Sequence, residues 1–242
     1  METVIEVNHL GKSFQENKVL NDISFTLKRG ENIAILGKSG VGKSVLAKCI
    51  VRLLDPDEGE IYVLGQNLLE LDVIQLDEVR KRVGYIFQGG ALYDSMNVQE
   101  NLEFQVRRTS KEINPVDLRN MVEEALLNVG MAEAIDKMPA ELSGGMKKRV
   151  AVARTLIFKP EIIVYDEPTT GLDPVTSGEI SELILSVQEK YNTSSLIISH
   201  DMKCVKLTAN KLKIMMNGQF YIEGKWQDLC ENNDSEVWGY FH

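Results

Sequence analysis

Residues 37–44 read GKSGVGKS and match the pattern G-x-x-x-x-G-K-[ST] through Gly37, Gly42, Lys43 and Ser44. The chemistry of that spacing is the holding of a polyphosphate. Glycines let the backbone curl until its N–H groups converge, Lys43 reaches the outer phosphates, Ser44 offers a hydroxyl to Mg²⁺, and the helix that follows adds its positive end. The remaining loop residues Lys38, Ser39, Gly40 and Val41, and Val45 one step into the helix, border the same phosphates. A Mg-nucleotide also needs an acid at the end of a neighbouring strand, and EIIVYDEP supplies Asp166 there. Glu167 stands one residue beyond, where an attacking water would have to be oriented and relieved of a proton, so Asp166 suits the metal and Glu167 the general base. His200 closes SLIISH at a strand rim and can donate to a γ-phosphate. Gln88 closes GYIFQ with an amide able to touch both metal and water. Each has a plainer reading alone: a glycine-rich turn, a solvated acidic turn, a structural or exposed histidine, a strand-end amide. Together they favour nucleotide chemistry at Lys43, Gln88, Glu167 and His200.

A second phosphate seat is legible in LSGGMKKRVAVARTL, because Ser143-Gly144-Gly145 precedes helix-forming residues and leaves N–H groups and a hydroxyl at a helix start. Two seats do not easily serve one nucleotide within one chain, which points to two copies paired head to tail. A capped amphipathic helix with Met146, Val150 and Ala153 turned inward is compatible with that role.

The elements that must position these residues alternate in kind. Segment 3–8, DISFTLKRGE and GEIYVLG read as strands of antiparallel character, whereas NIAILG, EIIVYD and SSLIIS are short continuous apolar runs, the pattern of strands buried on both faces. A helix over 44–54 stops at Asp55-Pro56, another spans about 175–190, LKIMMNGQFYIEG turns as a hairpin at Asn217-Gly218, and DSEVWGYFH reads as a short closing helix. Residues 90–158 carry helical patterns without a convincing strand and are the candidate insertion; NPVDLRNMVEEALLNVG within them has an Asn cap, a first-turn Pro and a terminal Gly. The expected fold is therefore α/β: a mostly parallel sheet covered on both faces, an N-terminal antiparallel β part and a helical insertion.

Composition sets the boundaries. The 242 residues suffice for a substantial core, and 43% hydrophobic and 26% charged residues are ordinary for a globular protein. A net charge of -9, with no basic run longer than Lys147-Lys148-Arg149, argues against a nucleic-acid partner. Cys49, Cys204 and Cys230 are odd in number and widely spaced, favouring reduced thiols in a cytosolic compartment. The acidic, alternating start METVIEVNHL does not read as a secretory leader, and no apolar stretch approaches the roughly 18 residues of a membrane span.

Nearly the whole chain resembles the ATP-binding cassette (ABC) family, whose motifs occur here in order: the glycine loop at 37–44, Gln88, LSGGM at 142–146, IIVYDEP at 162–168, GLDP at 171–174 and His200. The resemblance implies a single domain over 1–242, with a P-loop NTPase core in 1–89 and 159–242, a helical subdomain in 90–158 and a C-terminal extension from 225. It further implies that Phe14 stacks on adenine, that Ser143, Gly144, Gly145 and Met146 bind the partner copy's ATP, that Asp173 lies at the dimer seam, and that Mg²⁺ is held by Ser44, Gln88 and Asp166. ATP would close the dimer, hydrolysis would reopen it, and the groove near Gln88 would pass the motion to an integral membrane permease. Two positions depart from the family's commonest pattern: Met146 stands where Gln is usual and Phe14 where Tyr is frequent. An unbranched Met fills a Gln-shaped volume without the amide's hydrogen bonds.

After Gln88, GGALYDSMNVQENLEF places Leu92, Tyr93 and Met96 where the family meets its membrane partner; packing between core and insertion is the alternative. This string, LSGGMKKRVAVART and EPTTGLDPVTS are similar to ATPases of the MCE-associated lipid transporters, including the maintenance-of-lipid-asymmetry system. That similarity implies a peripheral ATPase on the cytoplasmic face of the inner (plasma) membrane, energising phospholipid or other hydrophobic transport, with a lipid-binding MCE-type partner. Export of lipoprotein or drug, or a soluble cassette acting on DNA or ribosomes, are the competing readings, and the acidic charge and lack of a coiled-coil insertion count against the last.

Overall fold

The computed structural model describes residues 2–110 and 112–241; Met1, Lys111 and His242, the last belonging to the expected closing helix, lie outside the described residues. Two sheets build the molecule. The first pairs β1 (Thr3–Phe14) with β2 (Asn17–Lys28) and β4 (Glu58–Val63), and β4 with β5 (Gln66–Asn67), all antiparallel. Alternation explains it: Ile23, Phe25 and Leu27 are buried while Ser24, Thr26 and Lys28 between them face out. β1 runs six residues past the expected 3–8, passing through irregular register near His9, which adopts φ 52°.

The second sheet runs β10-β9-β3-β8-β7-β6, where β3 (Asn32–Leu36), β6 (Val83–Ile86), β7 (Ile162–Asp166), β8 (Ser194–Ile198) and β9 (Lys211–Met216) are parallel. β10 (Gln219–Gly224) returns antiparallel through Asn217 and Gly218, both at positive φ (49° and 75°), as a two-residue hairpin requires. β3, β7 and β8 are buried along their whole length because each face has its own cover. Ile33 and Ile35 turn to the antiparallel sheet and to α1 (Lys43–Ile50) and α2 (Val73–Lys81), whereas Ala34 and Leu36 turn to the helical side.

The helical side holds α3 (Val98–Thr109), α4 (Pro115–Asn128), α5 (Gly144–Leu156), α6 (Pro174–Tyr191) and α7 (Met202–Thr208). Inward residues recur at helical spacing, as with Val98, Leu102 and Val106 in α3. Asn114 and Pro115 start α4, the cap oxygen taking the Val116 N–H at 2.9 Å. The chain continues into α8 (Trp226–Cys230) and α9 (Ser235–Phe241), joined by an edge-on contact of Trp226 and Phe241.

Further differences from expectation lie among the helices. The helix predicted over 44–54 ends at Ile50, because Arg52 takes φ 52° and its guanidinium is drawn to the carbonyls of Leu68 (2.7 Å) and Leu71 (2.8 Å). α2 was not expected, although Asp72 and Gln75 form a complete capping box. Among the described residues no helix is long and apolar enough to cross a membrane.

Candidate nucleotide-binding site

The glycine loop leaves the C-terminal end of β3 and opens α1, at the rim where parallel sheets gather ligands. Its glycines are required by contact: a Cβ on Gly37 would lie 2.7 Å from the Met215 carbonyl oxygen, and Gly42, at φ 110°, would put one 2.9 Å from that of Val19. That second contact seats β2 against the loop, and with it the hairpin that carries Phe14. Lys43 is buried, and its ammonium donates to the carbonyls of Gly37 (2.7 Å) and Lys38 (3.0 Å). Burial pushes its pKa down, opposed by the carboxylates of Glu167 and Asp166.

β7 delivers the acids next to this loop. The Ser44 hydroxyl donates to Asp166 Oδ1 at 2.7 Å and the Tyr85 hydroxyl to Oδ2 at 2.8 Å, so each carboxylate oxygen has a neutral donor. The phenol of Tyr85 is held well above its usual range, first by burial and then by the Asp166 charge. A serine hydroxyl and a carboxylate in contact are the hard oxygen donors Mg²⁺ prefers. No cluster of three or more His, Cys, Asp or Glu occurs among the described residues.

Glu167 breaks the strand direction with φ 55°, a left-handed value uncommon outside glycine. Its N–H donates to the Ile198 carbonyl at 2.8 Å and its own carbonyl takes the Lys148 ammonium at 3.1 Å. On the side chain, Oε2 meets His200 Nδ1 at 2.7 Å and the Thr170 hydroxyl at 2.9 Å. Glu167 is nearly buried while the His200 ring is exposed, so the pair reaches from the core toward solvent. Gln88 has an exposed side chain, and its carbonyl also receives Lys148. An open groove of about 380 Å³ borders the outer face of the loop, between Lys38–Val41, Asn17–Val19, Met215–Gly218 and Tyr240. The Asp166–Glu167 rim, where the charges converge, does not line that groove.

The other expected residues sit apart from this rim. Phe14 is half-exposed, with the Lys12 ammonium 5.6 Å from its ring centroid. Ser143 caps α5 by accepting the Met146 N–H at 3.3 Å, Met146 packs on the core, and Gly144 lies against Leu172. A Cβ on Gly145 would come within 2.4 Å of the Thr176 methyl, so the start of α5 presses on the start of α6. Asp173 caps α6 through the N–H groups of Val175 and Thr176 and takes the Thr176 hydroxyl at 2.6 Å, which holds its carboxyl below the usual range. Ser143, Gly144, Gly145 and Asp173 thus form one cluster at two helix starts, and no hydrogen bond joins it to the glycine loop among the described residues.

Tyr85, Lys148 and Thr170 escaped the sequence reading. Lys148 had left a signal, a lysine on the helix face otherwise formed by Gly145, Ala151 and Val152.

Comparison with known proteins follows the same lines. The family model described as ABC transporter matches residues 20–170. The chain is 35% identical over 96% of its length to the probable ribonucleotide transport ATP-binding protein mkl of Mycobacterium bovis, of which it spans 65%. It is 36% identical over 98% of its length to the intermembrane phospholipid transport system ATP-binding protein MlaF of Haemophilus influenzae, covering 89% of that protein. The dimeric post-hydrolysis structure of the ATP-binding cassette MJ0796, bound to ADP and Pi, superposes with a TM-score of 0.84 at 27% identity, covering 91% of this chain and 98% of the other. With motif order, sheet order and family match in agreement, the chain belongs to the ABC transporter family.

Proposed function

We propose that this chain binds and hydrolyses ATP as the energising subunit of a membrane transporter, working as a head-to-tail pair. The observation that carries the reading is the meeting of the start of α1 with the end of β7, where Ser44 touches Asp166 and the next residue, Glu167, turns its carboxylate toward His200. Lys43 binds the β- and γ-phosphate oxygens, the loop N–H groups cradle them, and Phe14 stacks on the adenine. When bound, Mg²⁺ would be held by Ser44, Asp166 and the Gln88 amide and would neutralise charge on the phosphate oxygens. With Oε2 of Glu167 engaged by Thr170 and His200, Oε1 accepts the proton of the attacking water. With His200 Nδ1–H donating a hydrogen bond to that carboxylate, donation from Nε2 to the γ-phosphate requires a hydrogen on both ring nitrogens. Ser143, Gly144, Gly145 and Met146 cap the nucleotide of the other copy, with Asp173 beside them at the seam. The domain division follows: residues 1–89 and 159–242 bind the nucleotide, 90–158 carry the cap, and those from 225 onward form an extension.

Glu167→Gln is the decisive variant. It should retain MgATP, lose at least a hundredfold in turnover, and elute as a dimer in ATP; near-normal turnover would remove Glu167 from the role of base.

The transported class is inferred as phospholipid or another hydrophobic molecule, supported by the MlaF relative and by the string after Gln88. The chain would act peripherally at the cytoplasmic face of the membrane, beneath permease subunits seated near Leu92, Tyr93 and Met96. Affinity purification from detergent-solubilised membranes should recover a multi-pass protein and a lipid-binding MCE-type partner. Recovery of a permease with a polar-solute binding protein would instead point to a substrate such as the ribonucleotide in the name of the mkl relative.

A further inference from the structure

The phosphate chemistry leaves two buried cations of α5, Lys148 and Arg154, without a task, and the first lies nearer the site. Lys148, one helical turn past Gly144 in α5, is 6% exposed and forms no ion pair with a carboxylate among the described residues. Its ammonium instead donates to two backbone carbonyls, those of Glu167 at 3.1 Å and of Gln88. Placing a charge among apolar helices is costly unless its hydrogens are used, and a leucine or methionine would fill the same space at no such cost. What distinguishes this placement is which carbonyls are chosen.

Both belong to residues assigned to the attacking water, and both lie in backbone that needs holding. Glu167 is at φ 55°, with its N–H fixed by Ile198 and its carbonyl by Lys148, so the peptide groups on either side of the side chain are pinned. Gln88 opens a loop whose Gly90 and Ala91 are both left-handed (φ 75° and 49°). The next two carbonyls on α5's side, those of Gly90 and Ala91, go to Arg154 at 2.9 and 2.7 Å. α5 therefore carries two buried cations that grip the Gln88 loop, and the first of them also grips Glu167.

We propose that Lys148 is a positioning residue that sets Gln88 and Glu167 at a fixed spacing and references both to the helix whose start, Ser143–Gly145, caps the other copy's nucleotide. α5 is a 13-residue helix and Lys148 lies in its second turn. A displacement of the cap by the partner's γ-phosphate is thereby felt at this chain's own hydrolytic pair. The inference rests on the nucleotide-site reading above.

The test uses the purified full-length chain with MgATP. Lys148→Met should leave the KM for ATP and the affinity for a fluorescent ATP analogue within twofold, and lower kcat on the order of tenfold or more. Lys148→Gln, which restores donors on a slightly shorter arm, should recover part of that kcat with KM still unchanged. A general packing defect would not sort variants by donor capacity at constant KM. The inference is overturned if Lys148→Met turns over within twofold of wild type, if Lys148→Gln is no better than Lys148→Met, or if KM moves with kcat. Should Lys148→Met not fold, Lys148→Gln decides alone: kcat reduced at least twofold at unchanged KM supports the role, and unchanged kcat or altered KM overturns it. Glu167→Gln run in parallel separates the two levels. If Glu167→Gln still hydrolyses ATP, the site reading falls; if it is inactive while Lys148→Met behaves as wild type, only the role of Lys148 falls.

Discussion

Asp166 owes its aim to two hydroxyls that differ in purpose. Ser44 belongs to the glycine loop and would share the metal, whereas Tyr85, on the neighbouring strand β6, holds Oδ2. Tyr85→Phe should therefore leave ATP affinity nearly intact and raise the Mg²⁺ concentration needed for half-maximal hydrolysis about three- to tenfold, the worth of one hydrogen bond of about 1 kcal/mol. A Mg²⁺ titration of ATPase rate checks it; an unchanged midpoint would mean that Asp166 keeps its orientation unaided. The residues readable in advance were those whose function demands a fixed local spacing, such as Gly37 to Ser44 or Asp166 to Glu167. Tyr85 was illegible for the opposite reason, and Lys148 showed only that it turns inward, not what it meets: their partners lie far along the chain, and only the sheet order and the packing of α5 bring them there.

Among the elements, the loop between Gln88 and α3 is held at its start by Lys148 and Arg154 and at its end by one side chain of α3. Asn101 is fully buried and holds the loop by accepting the Tyr93 N–H (2.7 Å) and donating to the carbonyls of Tyr93, Met96 and Asn97. It keeps Tyr93 exposed against Phe104, ring centroids 5.0 Å apart, on the surface assigned to the permease. Asn101→Leu should cost about 2–4 kcal/mol by stranding these groups, seen as a lowered denaturation midpoint, and should weaken permease assembly more than ATP binding. Elements defined by periodicity, the buried strands and α4 above all, could be read from the chain. The end of α1 could not, because Arg52 is drawn to carbonyls in a distant segment, a tertiary pull that helical pattern does not register. α2 could have been read, its Asp72–Gln75 box being local.

At the scale of the molecule, Glu161 ties the end of β2 to the β6–β7 edge of the parallel sheet. It pairs with Arg29 beyond the end of β2 at 2.9 Å and with Arg82 before β6, while its own backbone leads into β7. Desolvation raises its pKa, but hydrogen bonds from Arg29 and Arg82 outweigh this and leave it lowered. A carboxyl lowered by folding stabilises the protein above its unfolded pKa, near 4.3, and that contribution is lost as pH falls through the lower folded value. Glu161→Gln should thus cost about 1–3 kcal/mol at pH 7 and progressively less below about pH 4, by denaturant melts across that range; a pH-independent difference would contradict the linkage.

The order of the parallel sheet bears on how the protein is made. β3 carries the glycine loop, yet its two neighbours in the sheet are β8 and β9, near the other end of the chain. On a ribosome adding about 5–20 residues per second, β3 waits roughly 8–32 s before the first flank, β8, exists. Until then Ile33, Ala34, Ile35 and Leu36 have no strand beside them, so a nascent chain needs a chaperone or the early antiparallel sheet to shield the very segment on which nucleotide binding will depend.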